Sequence, residues 1–470
     1  MVVVVDGYSR DINDFEENPP EGFEYVPYYG AFVLAGLALP LTLIYARQQK
    51  ATQSEGLLLW LLFCTTAYTK DFAYMHVPGL PIYVTDVVLA ILLLSIGWKK
   101  LKLLRLWKTF VGAAWMGFVI AGVFTLARSV HAGNDTKVVA RDFAIIVYTA
   151  FMIVTGYVAR DWQTIRRILL FGAAGATLSA VGGLTWFMAQ PDQRRLILYG
   201  VYVLLALAGV VIAIVYRIIK PVTGWPIAFM LLIGLVLANA RTLDVALGVV
   251  LLVFGVTSLG GGLKFSASKI LKTAMGLVFL VFFAVWVTYQ TNAGQQFIDR
   301  VAEEFVSGVF HSGDDANSQF RFLAWAEAFG RFLAEPITGE GFGLPFIFEQ
   351  SQGLDPRPHN TFLTILYKMG LLGFIPFSLF LSSLFVKGWQ GFQAARRNPN
   401  APYLHLLLLV LFGMCLYGGL NLLLESPFLA VGFWVLVGLI IRSWELLKEG
   451  TTSQYDTMFP QGPGPKRLVS

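Results

Sequence analysis

The chain has 470 residues, of which 56% are hydrophobic and only 14% charged, with a mean hydropathy of +0.65. A soluble domain carries about 25% charged residues, so composition excludes an ordinary soluble enzyme. The formal net charge of +6 is accounted for by cations at the ends of apolar runs, so a nucleic-acid partner is not needed to explain it.

Apolar runs long enough for the ~20 residues that cross a bilayer as helix recur along nearly the whole length, and nothing alternates as barrel strands would. The expected fold is therefore all-α: a polytopic membrane bundle of about 12 to 13 transmembrane helices. Residues 1–28 carry seven acids and one arginine, with no basic region ahead of an apolar core, and read as a tail, not a cleaved signal peptide. Ten spans are expected within 29–289, near 29–46, 56–73, 81–97, 109–127, 142–159, 167–189, 196–215, 222–240, 242–260 and 270–289. Three more follow within 360–446, at 360–386, 402–423 and 426–446, and 447–470 forms a C-terminal tail. The apolar run from Trp225 to Leu259 is too long for one span, and its only ionisable residues are Arg241 and Asp244, which predicts a turn near Arg241. Cys64 and Cys415 both fall inside apolar runs and read as packed thiols.

Lysine and arginine near span ends are retained in the cytoplasm. Lys99, Lys100, Lys102, Arg105 and Lys108 lie together without an acid, and Arg160, Arg166, Arg167, Arg217, Lys220, Lys264, Lys269, Lys272, Lys387, Arg396, Arg397, Arg442 and Lys448 share their parity. That side is expected to be cytoplasmic, including the C-terminal tail. The segment 290–359 and the turns at Arg195 and Arg241 then face outward.

A connection of this length is too long to be idle. Phe297, Val301, Phe305 and Val309 recur at helical spacing, which predicts a short amphipathic helix on the membrane surface. A second is predicted to begin after Asn317-Ser318, with Phe322, Trp325, Phe329 and Leu333 as its apolar stripe, and to stop before Pro336. Residues 295–359 hold ten acids and only four arginines, Arg300, Arg321, Arg331 and Arg357. Arg321 is expected in the first helical turn, where a cation opposes the helix dipole; either an anionic ligand such as a diphosphate or a pairing with Asp314 or Asp315 relieves the conflict. Arg241 is open to two compatible readings. An intramembrane charge is a functional candidate by default, and an Arg241–Asp244 pair on one helix turn is the local alternative. Arg194 and Arg195 either face the same cavity or snorkel to the interface.

The stretch Pro336 to Phe374 carries the most information. A loop punctuated by Gly339, Gly341 and Gly343 leads through Arg357-Pro358-His359-Asn360 directly into an apolar helix containing Tyr367, Gly370 and Gly373. His359 thus sits where a membrane helix begins, placed either as a polar cap or as a general base for a hydroxyl. Asn360 reads first as a helix cap and second as a hydroxyl-binding residue. The three glycines read as a turn allowing close backbone approach, since no βαβ unit surrounds them to make a dinucleotide site. His76, His131, His311 and His405 show no metal-ligand spacing.

The G-x-G-F-G turn, the His-Asn pair and the Gly-x-x-Gly helix together resemble the signature of the O-antigen ligase and O-antigen polymerase superfamily. The resemblance is specific over 315–445 and architectural elsewhere. It implies a GT-C-like glycosyltransferase of the bacterial inner membrane, working on the periplasmic face without a cofactor or metal. The implied donor is a glycan on undecaprenyl diphosphate, and the acceptor another glycan, a lipid A core or a protein side chain. Membrane lipids, and a flippase or chain-length regulator, are the implied partners. On this resemblance His359 matches the family histidine, while Arg241 and Arg321, the latter in Gln319-Phe320-Arg321-Phe322-Leu323-Ala324-Trp325, look like its two functional arginines. Glu425-Ser426-Pro427 resembles a recurrent Glu-x-Pro with no role attached. The ligase form of the helix continues Gly-Thr-Gly, whereas Gly373 here is followed by Phe374-Ile375, which leans the reading toward polymerase. A lipid-linked oligosaccharide flippase is the alternative outside the enzymes, but no internal repeat of the kind transporters carry is visible.

Overall fold

The computed structural model describes residues 26–75, 82–96, 109–189, 200–238, 241–260, 316–347 and 357–458. In chain order the helices are α1 (Val26–Gln48), α2 (Gln53–Ala73), α3 (Val84–Ile96), α4 (Phe110–His131), α5 (Thr136–Val147), α6 (Ala150–Val158), α7 (Trp162–Ala189), α8 (Val201–Val215), α9 (Pro221–Ala238), α10 (Arg241–Gly260), α11 (Ala316–Ala334), α12 (Thr361–Ala394), α13 (Ala401–Gly418) and α14 (Pro427–Met458). Seven helical stretches among the described residues are long and apolar enough to cross a bilayer, and four more apolar helices are shorter. This is a polytopic all-α membrane protein. The expected span at 270–289 and the surface helix at 297–309 lie outside the described residues.

Apolarity on every side predicts burial within the bundle, and α8 fulfils it. Val203, Leu204, Leu207, Ala208 and Ile212 have no accessible surface, with α7, α9, α10 and α13 packed against α8, and α13 and α14 are the most buried of the long apolar helices. Peripheral helices show the complementary pattern, with Leu37 and Leu41 of α1, Ile120 and Phe124 of α4, and Ile375 and Leu379 of α12 turned outward. In hydrocarbon such exposure is favourable, and association depends on close packing instead. Small residues make it possible: a Cβ on Gly438 of α14 would lie 2.6 Å from the Met152 carbonyl of α6.

Helix directions alternate, and contacts fix which termini share an end. At one end Arg167 meets Glu55 at 2.8 Å, Arg166 donates to Asn400 at 3.1 Å, and Arg442 donates to the carbonyls of Ala159 and Arg160. The other end gathers the C-termini of α2 and α4 and the N-termini of α5, α12 and α14. A helix boundary falls where the turn near Arg241 was expected, since α9 ends at Ala238 and α10 starts at Arg241.

The 336–343 loop is built into a broken helix. Within α12, Gly370 has φ 60° and ψ −162°, a conformation essentially restricted to glycine. The break strands the amides of Leu371 and Leu372 and the carbonyls of Tyr367 and Lys368, which would otherwise bond each other. Glu340 and Gly341 donate to Tyr367 and Lys368 at 2.8 and 3.0 Å, while Leu371 and Leu372 donate to Pro336 and Ile337 at 2.9 and 3.0 Å. All four groups are satisfied by the loop, as a membrane-embedded backbone requires.

Because the two backbones touch, side chains at the crossing are excluded. A Cβ on Gly339, whose φ is +66°, would fall 2.5 Å from the Lys368 carbonyl carbon. Gly339→Ala and Gly370→Ala are each expected to destabilise the protein by about 2 kcal/mol or more. Gly36→Ala, where nothing lies within 4 Å, is the neutral control. Thermal unfolding in detergent checks this; midpoints for Gly339→Ala and Gly370→Ala equal to that of Gly36→Ala would contradict the crossing.

Candidate functional site

Three sets of contacts hold the loop from outside the broken helix. Arg128, near the end of α4, donates to Glu335 at 3.0 Å, to the Thr338 hydroxyl at 2.5 Å and to the Gly339 carbonyl. Asn134 donates to the Phe342 carbonyl at 2.6 Å, and the Phe342 amide donates to Ser129 at 2.7 Å. Beneath it, Asp142 accepts from the Gly343 amide at 3.0 Å and from Lys368 at 2.5 Å, with both charged side chains only 5% exposed. The positive φ of Gly339, Gly341 and Gly343 makes the turn, as expected.

On the outer side α11 lies over the loop. Its packed face is made of Ala324 and Ala328, which meet Phe346 and Tyr367, while the bulkier Phe322, Phe329 and Leu333 of the expected stripe are exposed. Small residues allow the closer approach, so they take the contact. Arg331 explains its own presence: it pairs with Glu327 at 2.8 Å and Glu340 at 3.3 Å, donates to the carbonyls of Pro345 and Ile347, and covers the Phe346 ring.

Six residues earlier on α11, the Trp325 indole donates to the Pro358 carbonyl at 2.8 Å. That bond fixes the peptide before His359. Arg357 and His359 both hold left-handed backbone, with φ of 51° and 47°, at a cost of roughly 1 kcal/mol each. Arg321 precedes Trp325 by four residues and so shares its helical face. The two expected site residues are therefore brought together, with Arg357 and Lys70 of α2 beside them. Burial and the positive charges of Arg321, Arg357 and Lys70 depress the His359 pKa to about 4, so the imidazole is neutral at physiological pH.

The expected placement of Arg321 in a first helical turn needs correction. The helix already runs from Ala316, which puts Arg321 in its second turn and removes the dipole conflict. Its neighbourhood beside His359, not its position in the helix, keeps it a candidate. The alternative partners Asp314 and Asp315 lie outside the described residues.

Asn360 is the N-cap of α12, its side chain accepting from the Leu363 amide at 3.1 Å. Glu425 is 6% exposed and accepts from the Thr361 hydroxyl at 2.6 Å and the Leu423 amide at 3.2 Å, tying the α13–α14 link to the start of α12. Arg241 opens α10 at the same end of the bundle. A Cβ on Gly200 would lie 2.6 Å from Leu243 and 2.7 Å from Ala238. Two residues on, the Tyr202 hydroxyl donates to the Phe428 carbonyl, three residues past Glu425. Arg194 and Arg195 lie outside the described residues.

Lys70 was not visible to sequence reasoning as a site residue. The one signal was Lys70-Asp71 within an expected span, an ionisable pair where charge is costly. Asp142 and Lys368, 226 positions apart, gave no signal of their pairing.

Fold and site together define a multi-pass membrane protein with a neutral imidazole among cations at one end of its bundle. Residues 226–378, which include the start of α10, α11, the glycine loop, His359 and Gly370, match the family model described as O-Antigen ligase. That match supports the resemblance to the O-antigen ligase and polymerase superfamily. No curated protein matches the chain.

The Asp142–Lys368 pair supplies a test of how the loop is supported. Lys368→Met alone leaves the buried Asp142 carboxylate with only the more distant Arg141, at 3.8 Å, as an ion-pair partner and is expected to cost about 3 kcal/mol. Adding Asp142→Asn, which keeps an acceptor for Gly343, is expected to restore most of that loss. Additive losses in thermal unfolding would show that the two groups are not coupled.

Proposed function

We propose that the protein is a membrane glycosyltransferase that takes a glycan from an undecaprenyl-diphosphate carrier on the periplasmic face and extends a polysaccharide. The observation that carries this reading is the meeting of Arg321 with His359 at the membrane rim, among further cations. The family match adds a glycosyltransferase-like activity. The outward orientation rests on the cations Arg160, Arg166, Arg167, Arg396, Arg397 and Arg442 lying at the far end, since arginines near span ends stay in the cytoplasm.

In the proposed reaction Arg321 and Arg241 hold the diphosphate, and their charge gains value as negative charge builds on the leaving group. The acceptor hydroxyl attacks the anomeric carbon, a new glycosidic C–O bond forms, and the bond from that carbon to the phosphate oxygen breaks. Undecaprenyl diphosphate leaves with the electron pair. His359 takes the hydroxyl proton and returns it to solvent. A single displacement inverts the anomeric configuration. The guanidinium groups supply the countercharge, so the reaction is written without a metal.

A second reading, transfer to a lipid A core, is favoured by the match to a family described as O-Antigen ligase. Phe374-Ile375 after Gly373 favours the polymerase. Purified protein incubated with a defined lipid-linked oligosaccharide, with and without lipid A core, separates them. A ladder of products is expected; a single shift of the core alone would replace polymerase with ligase. Protein modified instead of either would assign it to protein O-glycosylation.

Arg321→Ala and His359→Ala are expected to insert and fold while losing about 100-fold or more in turnover. Wild-type turnover by both would remove the site. The pH dependence gives a separate check. Above about pH 4 the free imidazole is neutral, so the acid limb of kcat/KM is expected near that value. Bound diphosphate offsets the neighbouring cations and favours the imidazolium, so the acid limb of kcat is expected at higher pH. Coincident limbs in the two profiles would contradict a base that shares its surroundings with the diphosphate.

A further inference from the structure

Lys70 lies far outside the stretch that carries the motifs, yet the structure delivers it to them. It occupies the last turn of α2, directly after Thr69, whose φ of 49° and ψ of −117° interrupt the helix. A positive φ is an outlier for a β-branched residue, and Thr69 is 3% exposed, so its surroundings enforce the conformation. The break changes helical register immediately before Lys70. The turn is then fixed on its far side, where the Tyr74 amide donates to the Lys70 carbonyl at 2.9 Å. The Tyr74 hydroxyl shares a hydrogen bond of 2.9 Å with Ser426, the neighbour of Glu425, and Glu425 holds Thr361, two residues past His359. Lys70 is near enough that its charge, with those of Arg321 and Arg357, acts on the His359 ring.

We infer that Lys70 is a phosphate-binding residue of this site and that, with Arg321, it makes the site prefer a diphosphate to a monophosphate. The inference rests on the proposed function and adds a ligand to it. Arg321 reaches the site from α11 and Lys70 from α2, so the two cations approach from separate elements. A guanidinium fork suits one phosphate and a compact ammonium a second. A monophosphate engages one of them, whereas a diphosphate spans both. Asp71, adjacent in sequence, offers the competing account in which Lys70 serves only an ion pair at the end of α2.

The test measures binding of undecaprenyl diphosphate and undecaprenyl monophosphate to the full-length protein in nanodiscs. Wild type is expected to bind the diphosphate more tightly. Lys70→Met is expected to lose about tenfold for the diphosphate with little change for the monophosphate, and Lys70→Arg to keep most of the preference. Arg321→Ala is expected to weaken both. In wild-type protein the diphosphate is expected to slow acylation of Lys70 by an amine-reactive reagent, read by mass spectrometry, so the result does not depend on a variant folding. An unchanged preference in Lys70→Met, or equal labelling with and without the diphosphate, overturns the assignment of Lys70 while the rest of the site stands. Failure of wild type to bind either lipid overturns the proposed function itself, and this inference with it.

Discussion

Four backbone hydrogen bonds between the 336–341 loop and the break at Gly370 are the constraint on which the site depends. A helix interrupted inside a bilayer leaves donors and acceptors that water cannot reach, each costing several kcal/mol if unmet. The loop meets them, and in doing so is held against α12 more firmly than its side chains alone would hold it. His359 lies just ahead of the same helix, eleven residues before Gly370, and α11, which precedes the loop, carries Arg321 and Trp325. A loop fixed at Gly370 therefore fixes the spacing between Arg321 and the imidazole. The glycines at 339 and 370 follow from this contact, since a Cβ on either would strike the opposing backbone.

Electrostatics at the same end of the bundle is arranged in two tiers. Below the loop, Asp142 and Lys368 neutralise one another and satisfy Gly343. Above it, the charges of Arg321, Arg357 and Lys70 all act on the His359 imidazole, so positive charge accumulates beside a neutral group able to accept a proton. Such an arrangement is costly in an empty site and favourable once an anion arrives. In the proposed reaction the substrate completes the charge balance and, through the same field, strengthens the base that acts on its partner.

Much of this was legible in the sequence. Composition and the recurrence of apolar runs predicted a polytopic helical bundle, and α1, α4, α7, α9, α10, α12, α13 and α14 fall on expected spans. The helix boundary at Arg241, the helix ending before Pro336 and the capping by Asn360 were visible because each depends on local chemistry. What escaped notice depends on distant pairing. The break at Gly370 looked like one uninterrupted helix, since its repair comes from residues thirty positions away in sequence. Arg331, one of four arginines in an acidic segment, is the clasp of the loop, its partners spread from Glu327 to Ile347. Helix α11 showed its bulky stripe in sequence, but the face that packs is the alanine one, because the opposing surface is already filled by Phe346 and Tyr367.

An experimental structure of the protein with undecaprenyl diphosphate bound tests the account most directly. The account predicts phosphate oxygens within about 3 Å of the Arg321 guanidinium, beside His359 and toward the start of α10, with the loop still paired across Gly370. Phosphates bound instead at the opposite end, among Arg166, Arg167 and Arg442, would contradict it.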